Sequence, residues 1–372
     1  MRLPFTANDR PSVGVELELG LVDERTMALT SAIQPILAVL PAEFAEGVKP
    51  ELMQSSLEVI SGVCETIAEA ERDLTRKLRA VQKAADSQGV RLLWSATHPF
   101  SSWREQEVTP TQRYQGLIDL HQDLARQLVT QGLHVHVGVD SGEKAILICN
   151  RMLEHLPLLL ALSVNSPCWD GRVTGLQSYR SKVMEGLPTA GLPHQMANWS
   201  EYTWLIDHLT ETGFINSIRE IWWDIRPHNN FGTVEVRICD LPGSLDEAMT
   251  LAAMIQSMVV YFSDQIDEGS FPRNAHAVMV RQNKWRAARY GRRARLVDSY
   301  TYAAHDIQDL AGRWTERLLP VASRLECVAY LERLPALAAA PSAAARQLSL
   351  LEETGDPTVT VRRLTDSTRL TD

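Results

Sequence analysis

The sequence predicts an α+β fold, a single domain of antiparallel sheet with helices packed on one side. Three observations predict it. The segments GVELEL, LHVHVGV and TVEVRI each alternate apolar and ionisable residues at period two, the mark of a half-buried strand. Longer stretches, above all residues 66–88, space their apolar residues by three and four, as amphipathic helices do. Neither an internal repeat nor a linker-like stretch breaks the 372 residues, and that length buries a proper core.

Taken in order, residues 12–22 (SVGVELELGLV) form the first strand. Residues 31–40 predict a short helix interrupted by Pro35 and stopped by Pro41, and residues 51–63 read as extended chain with an irregularity. An amphipathic helix covers 66–88 and stops at Gly89, and RLLWSATHPF follows as a strand. Residues 111–130 are helical, Gly132 leads into LHVHVGV, and 143–163 make one long apolar helix bent by Pro157. Residues 165–196, rich in Gly, Pro, Ser and Arg, are too irregular for an element and too long for an idle connection. Strands follow around 214–226 and 232–239, then helices at 244–267, 274–290 and about 303–335. The domain is expected to span 1–372, with the polar tail 355–372 loose.

Hydrophobic residues make up 45% and charged residues 22%, the composition of a folded globular protein. A formal net charge of −9 argues against nucleic acid or an anionic membrane as a general partner. It leaves ATP open, because a few cations gather phosphate locally. The opening MRLPFTANDR has no signal-peptide apolar core. The most apolar run, Leu156–Val164, is far shorter than the roughly 20 residues that cross a bilayer, and is expected to be a buried helix. The five cysteines are scattered and never spaced CxxC, so they are expected to be reduced core residues of a cytoplasmic protein.

The chemistry lies in the strand parity. Val13, Val15, Leu17 and Leu19 share one face of the first strand, and Glu16 and Glu18 share the other. His134 and His136 lie opposite the valines of LHVHVGV, and Glu235 and Arg237 lie opposite Val234, Val236 and Ile238. If the three strands share a sheet, one face gathers all these groups, and its carboxylates repel unless cations neutralise them. Carboxylate oxygens with imidazole and no thiolate suit Mg²⁺ or Mn²⁺, ions that polyphosphate chemistry needs. For any one strand, a solvated face is the plainer explanation; three strands with one parity favour the metal site. Arg172, Arg180, Arg226 and Arg237 supply forks for carboxylate or phosphate. On the helix at 274–290, Arg281, Lys284 and Arg286 could reach phosphate, or form a basic solvated face. No GxxxxGK[ST], GxGxxG or GxSxG occurs. Residue chemistry by itself reaches a metal-dependent enzyme acting on phosphate.

The ordered set GVELELGLVD, KPELMQSSLEV, ATHPF, GLHVHVG, NSPCWDGRVTGLQSYR, WWDIRP, GTVEVRICD and NKWRAARYG, over roughly residues 11–300, resembles the type 2 glutamate–cysteine ligase family. The resemblance implies a glutamine-synthetase-like domain, a curved antiparallel sheet with helices on its convex side. Its concave face is then expected to hold ATP and two or three Mg²⁺ ions. By the same resemblance Glu16, Glu18, Glu51, Glu58, His136 (or His134) and Glu235 are metal ligands. Arg180, Arg226 and Arg237 are expected to meet phosphate or substrate carboxylate. Glu51 and Glu58, seven apart, need a bulge or turn between them to share a site. The implied reaction joins small amino acids, glutamate and cysteine in the reference case, through an acyl phosphate shielded by closure of residues 165–196, in a homodimer. Many members carry three successive acids where this chain has Glu16-Leu17-Glu18; parity turns the middle position to the apolar face, so the metal site is expected to survive. A metal-dependent hydrolase and a non-catalytic nucleotide binder remain as alternatives.

Overall fold

The computed structural model describes residues 3–270 and 275–371. Strand β1 (Val13–Asp23) behaves as its parity asks: Val13, Val15, Leu17 and Leu19 are at most 1% exposed, while Glu16 and Glu18 keep partial access on the other face. Helix α1 (Ile33–Val39) takes Pro35 into its first turn without interruption, since N–H groups there have no helical acceptor. The irregularity at 51–63 is a turn between β2 (Val48–Pro50) and β3 (Ser56–Ile60). Helix α2 (Ile67–Ser87) is capped by the Thr66 side chain, which accepts from the Glu69 N–H, and buries Ile67, Leu74, Leu78 and Val81. The next strand is shorter than expected: β4 (Val90–Leu93) ends where the chain turns to bond Asn165 and Gln131 through Ala96.

Residues 111–130 split into α3 (Gln112–His121) and α4 (Asp123–Arg126), because Gln122 takes a left-handed φ of +49°. After β5 (Leu133–Gly138), the helix expected over 143–163 is two, α5 (Gly142–Met152) and α6 (Leu156–Ser163), inclined by 66°. Pro157 opens the second helix and does not bend a single one. Every residue of α6 is buried, and among the described residues no single helix is long and apolar enough to cross a membrane. The irregular segment contains the ribbon β6 (Cys168–Trp169) and β7 (Arg172–Val173), then α7 (Arg180–Met184) and β8 (Ala190–Gly191).

The strand expected at 214–226 is largely absent. Helix α8 (Trp199–Glu211), unforeseen in the sequence, runs up to Gly213 with φ +73°, and only β9 (Trp222–Trp223) and β10 (Ile225–His228) are extended. Then come β11 (Thr233–Val236), α9 (Leu245–Asp267) and α10 (Ala277–Tyr290). The expected start of α10 at residue 274 lies outside the described residues. A hairpin of β12 (Arg295–Val297) and β13 (Ala304–Asp306) precedes α11 (Ile307–Arg324), α12 (Val328–Leu331) and α13 (Leu334–Ala339), which replace one long helix. The chain closes with α14 (Ala343–Thr354) and α15 (Pro357–Ser367).

The tail is therefore not loose. Asp356 caps α15 by accepting from the Thr358 and Val359 N–H groups, Val361 is buried against Val22, Met27 and Leu93, and Arg369 pairs with Asp86 at 2.6 Å. Its apolar residues are few, but Val361 and Leu364 fall three apart on one helical face and pack together against that cluster.

The main sheet runs β10-β11-β5-β1-β3-β2, with β4 on the far half of β1, all antiparallel. Helices α2, α5 and α9 lie against these strands, and one apolar cluster joins them to Val15, Leu17, Val135, Val137 and Val234. The opposite face of the sheet floors a cleft.

Candidate active site

Strand register decides which polar side chains meet. β1 sets Glu16 beside His134 of β5 and Glu18 beside Glu58 of β3. β11 sets Glu235 opposite His136, and β10 sets Arg226 opposite Glu235. Because β2 pairs Lys49 with Glu58, the turn after Pro50 returns Glu51 to the face that Glu58 occupies.

A continuous band of ligating atoms results. His134 Nδ1 lies 3.1 Å from Glu16 Oε2, and His136 Nε2 lies 3.3 Å from Glu16 Oε1 and 3.8 Å from Glu235 Oε1. Glu18 Oε1 is 3.7 Å from His134 Nε2, while its Oε2 accepts the Gly132 N–H at 2.5 Å. Three triads bring one atom per residue within 4.8 Å of one another: Glu16–His136–Glu235, Glu16–Glu58–His134 and Glu18–Glu51–Glu58. All seven residues singled out in the sequence as metal ligands fall within them. Thr233 Oγ1 lies 3.0 Å from His136 Nδ1 and orients the ring from behind.

The electrostatics explain what such a band asks for. Burial, with the charge of Glu18 next, pushes Glu51 up to about 8. Burial and then Glu16 hold Glu58 well above the usual carboxylate range. Burial acts the same way on Glu16 and Glu235 but is outweighed, by His136 and His134 in one case and by Arg226 and Arg237 in the other. Both are held well below that range. His134 Nε2 is buried with no hydrogen-bond partner, and burial, then Arg237, lower the pKa of its ring, leaving a neutral imidazole with a lone pair to offer. Oxygen-rich donors, one orphaned imidazole nitrogen and two carboxylates that resist ionising fit a divalent cation of the Mg²⁺ or Mn²⁺ kind.

The sign of the pH response follows. Without a cation, folded Glu51 binds a proton between its unfolded value of 4.5 and about 8, where the unfolded chain has lost it. Stability therefore falls as pH rises through that window, and Mg²⁺, which competes with the proton, stabilises most at its alkaline end. Melting of EDTA-treated protein from about pH 5 to about pH 8, with and without Mg²⁺, measures this. An Mg²⁺ increment that is the same throughout contradicts it.

The arginines differ sharply. Arg226 forks onto Glu235, Nε at 2.7 Å and Nη2 at 3.3 Å, and also donates to the Ile218 and Ile221 carbonyls. Arg237 pairs with Glu235 from the other side. Arg180 is 4% exposed, donates to the Ile238 and Arg237 carbonyls at 3.3 Å each, leaves Nε without a partner, and makes no ion pair among the described residues.

Glu16, Glu18, Glu51, Glu58, His134 and the three arginines line a cavity of about 410 Å³ together with Lys49, Arg113, Tyr114, Trp222 and Phe231, while His136 and Glu235 lie behind that lining. Arg281, Lys284 and Arg286 are not among its lining. Lys284 is buried between Asp224 at 2.5 Å and Glu185 at 2.7 Å, Arg286 donates to the Arg295 carbonyl at 3.1 Å, and Arg281 is exposed. The segment 165–196 is tied down in its first part. Gln177 and Ser178 donate backbone N–H groups to the Ala288 carbonyl, and Lys284 clasps Glu185, so this part is a wall held against α10. Sequence reasoning missed Tyr114, Arg113 and the stacked pair His228–Phe231, whose ring centroids are 4.1 Å apart. HNNFG between two strands is a legible hairpin tip next to Glu235; nothing local marks Arg113 or Tyr114.

A model of glutamate–cysteine ligase family 2 matches residues 12–366. A Gloeobacter violaceus protein whose name places it with glutamate–cysteine ligase 2 is 43% identical over 350 residues, 93% of this chain and 94% of its own. A Thermobifida fusca protein of the same name is 40% identical over 359 residues, 95% and 90% of the two chains. Among solved structures, the glutamate–cysteine ligase of Francisella tularensis in complex with AMP superposes with a TM-score of 0.71 at 14% identity, covering 99% of this chain and 91% of that one. A bifunctional glutathione synthetase from Pasteurella multocida gives 0.72 at 15%, covering 96% and 52%. Those two share the fold. Matched along nearly its whole length by the family model and by relatives at this identity, the chain belongs to glutamate–cysteine ligase family 2.

Proposed function

We propose that the protein is an ATP-dependent ligase that joins a carboxylate to an amine through an acyl phosphate, with the γ-carboxyl of glutamate and the amine of cysteine as the reference pair. Family membership supports the C–N ligase class. The observation that carries the mechanism is a band of acids and imidazoles flanked by one buried arginine, Arg180, whose fork no carboxylate among the described residues occupies. Divalent cations held by Glu16, Glu18, Glu51, Glu58, His134, His136 and Glu235 would offset the charge of a polyphosphate.

The remaining work falls to the chain's own groups. Arg226 and Arg237 keep Glu235 ionised at neutral pH, so it is ready to ligate without losing a proton. Arg180 offers its guanidinium to the acid's carboxylate or to the transferred phosphoryl group, an interaction strengthened by the buried setting. The wall from Ser166 to Met184 limits water at the point where an acyl phosphate would hydrolyse. The same reading takes Mg²⁺ as the metal, the cytoplasm as the compartment and a homodimer as the assembly, the last checked by light scattering.

Incubation with ATP, Mg²⁺ and paired amino acids tests the reaction. ADP release is expected when both acid and amine are present, and Arg180→Ala is expected to lower kcat/KM by about 10²–10³. Cleavage of a substrate without nucleotide assigns the site to hydrolysis instead.

A further inference from the structure

Two segments, NSPCWDGRVTGLQSYR and the end of GTVEVRICD, converge on one buried carboxylate to which the proposed reaction gives no role. Asp240 is 0% exposed and accepts three hydrogen bonds. The Asn165 N–H at 2.8 Å and the Ser166 hydroxyl at 2.7 Å reach Oδ2, and the Ser178 hydroxyl reaches Oδ1 at 2.9 Å. The Ser166 Oγ in turn accepts the Arg180 N–H at 3.0 Å, and the Ser178 Oγ accepts the Ser181 N–H at 3.4 Å. Both serines thus stand between the aspartate and the first turn of α7, which begins at Arg180.

The guanidinium end of Arg180 returns to the same place. Its Nη atoms bond the carbonyls of Arg237 and Ile238, just before Asp240 in the chain. It passes over Gly132, which bridges Asp240 across the strands; a Cβ on Gly132 would lie 2.2 Å from Nη2. Main chain and side chain of Arg180 are therefore both referenced to the Asp240 region, and the glycine leaves the space the guanidinium fills.

The charge arrangement has a physical logic. A buried arginine with no countercharge bears a large desolvation cost, whereas one forked onto a carboxylate, as Arg226 is on Glu235, has its anion site filled. Asp240 lies one hydroxyl from the main chain of α7 and near enough for its charge and that of Arg180 to interact. It supplies the opposite charge without occupying the fork.

We propose that Asp240 is a positioning residue, which through Ser166 and Ser178 aims Arg180 into the cleft and balances its charge while leaving it free to take an anionic group of the substrate. The inference rests on the reading of Arg180 as that receptor.

A double-mutant cycle on the full-length protein with Mg²⁺, ATP, glutamate and cysteine tests it. Asp240→Asn is expected to lower kcat/KM for the acid about 10- to 100-fold, the range for groups that orient a functional residue. In an Arg180→Ala background the same change is expected to cost less than about threefold, because the group it acts through has gone. Gly132→Ala, which leaves the Asp240 bonds intact, is expected to reproduce the loss by displacing the guanidinium. Losses that add across the cycle, or a Gly132→Ala enzyme with normal kcat/KM, overturn the role of Asp240 while leaving the ligase reading standing. An Arg180→Ala enzyme with unchanged turnover overturns both. Should Asp240→Asn fail to fold, Ser178→Ala, which removes one of the three bonds, takes its place in the cycle under the same criteria.

Discussion

Glu235→Gln is expected to cut turnover by about 10³-fold and to destabilise the fold by about 3 kcal/mol. Glu235 is 1% exposed and serves two sets of neighbours at once. Toward His136 and Glu16 it would offer an oxygen to a cation; toward Arg226 and Arg237 it is the shared counterion of two guanidinium groups. The amide keeps the shape but removes the charge, so two buried cations lose their partner. That places the cost at the lower end of about 3–5 kcal/mol for breaking a buried pair, since the amide oxygen can still accept one hydrogen bond. Mg²⁺ affinity is expected to fall with activity, while the protein remains folded at room temperature. Urea unfolding together with Mg²⁺ titration of turnover measures both effects. Normal turnover in a folded variant would sink the assignment of Glu235 to the reacting centre.

Lys284→Met is expected to destabilise the protein by about 3–5 kcal/mol while leaving the KM for ATP within about twofold. The Lys284 ammonium is 2% exposed and joins Asp224, beside the late strands, to Glu185, which follows α7. Burial acts to lower its pKa, but Asp224 and Glu185 outweigh it and hold the group charged. Removing it strands Asp224, while Glu185 keeps Lys182 at 2.8 Å. The Asp224 main chain is held independently of the lysine, because its carbonyl accepts the Arg237 and Ile238 N–H groups, so the edge of the cleft keeps its place. A phosphate-binding lysine, as the basic helix by itself suggests, would give the opposite result: intact unfolding energy and a raised KM for ATP. Urea denaturation alongside nucleotide kinetics separates the two.

The contrast between Lys284 and Glu235 shows which features are legible in one dimension. The acidic and imidazole face of β1, β5 and β11 follows from alternation within each segment, and the need for a turn between Glu51 and Glu58 follows from counting along one chain segment. The loose tail, the strand at 214–226 and the single helix over 143–163 were expected on local composition and proved otherwise. A few apolar contacts and a cap decided the tail, a left-handed glycine the region before residue 214, and Pro157 at a helix start the break within 143–163, and such features weigh little in a periodicity count. Helix α8 was missed for the same reason, with only Tyr202 and Ile206 fully buried.

By itself, then, the sequence determined which side chains share a face, and through an ordered set of motifs which family the chain belongs to. Tertiary structure alone decided how the charges divide: Arg226 and Arg237 spent on Glu235, Lys284 on Asp224 and Glu185, and Arg180 kept open. Face is a property of one strand, set by covalent geometry that turns successive side chains to opposite sides. Neutralisation is a property of pairs, which decays with distance and depends on groups tens or hundreds of residues apart. Strand register and helix packing bring those groups together, and the chain must fold before any of them can choose a partner.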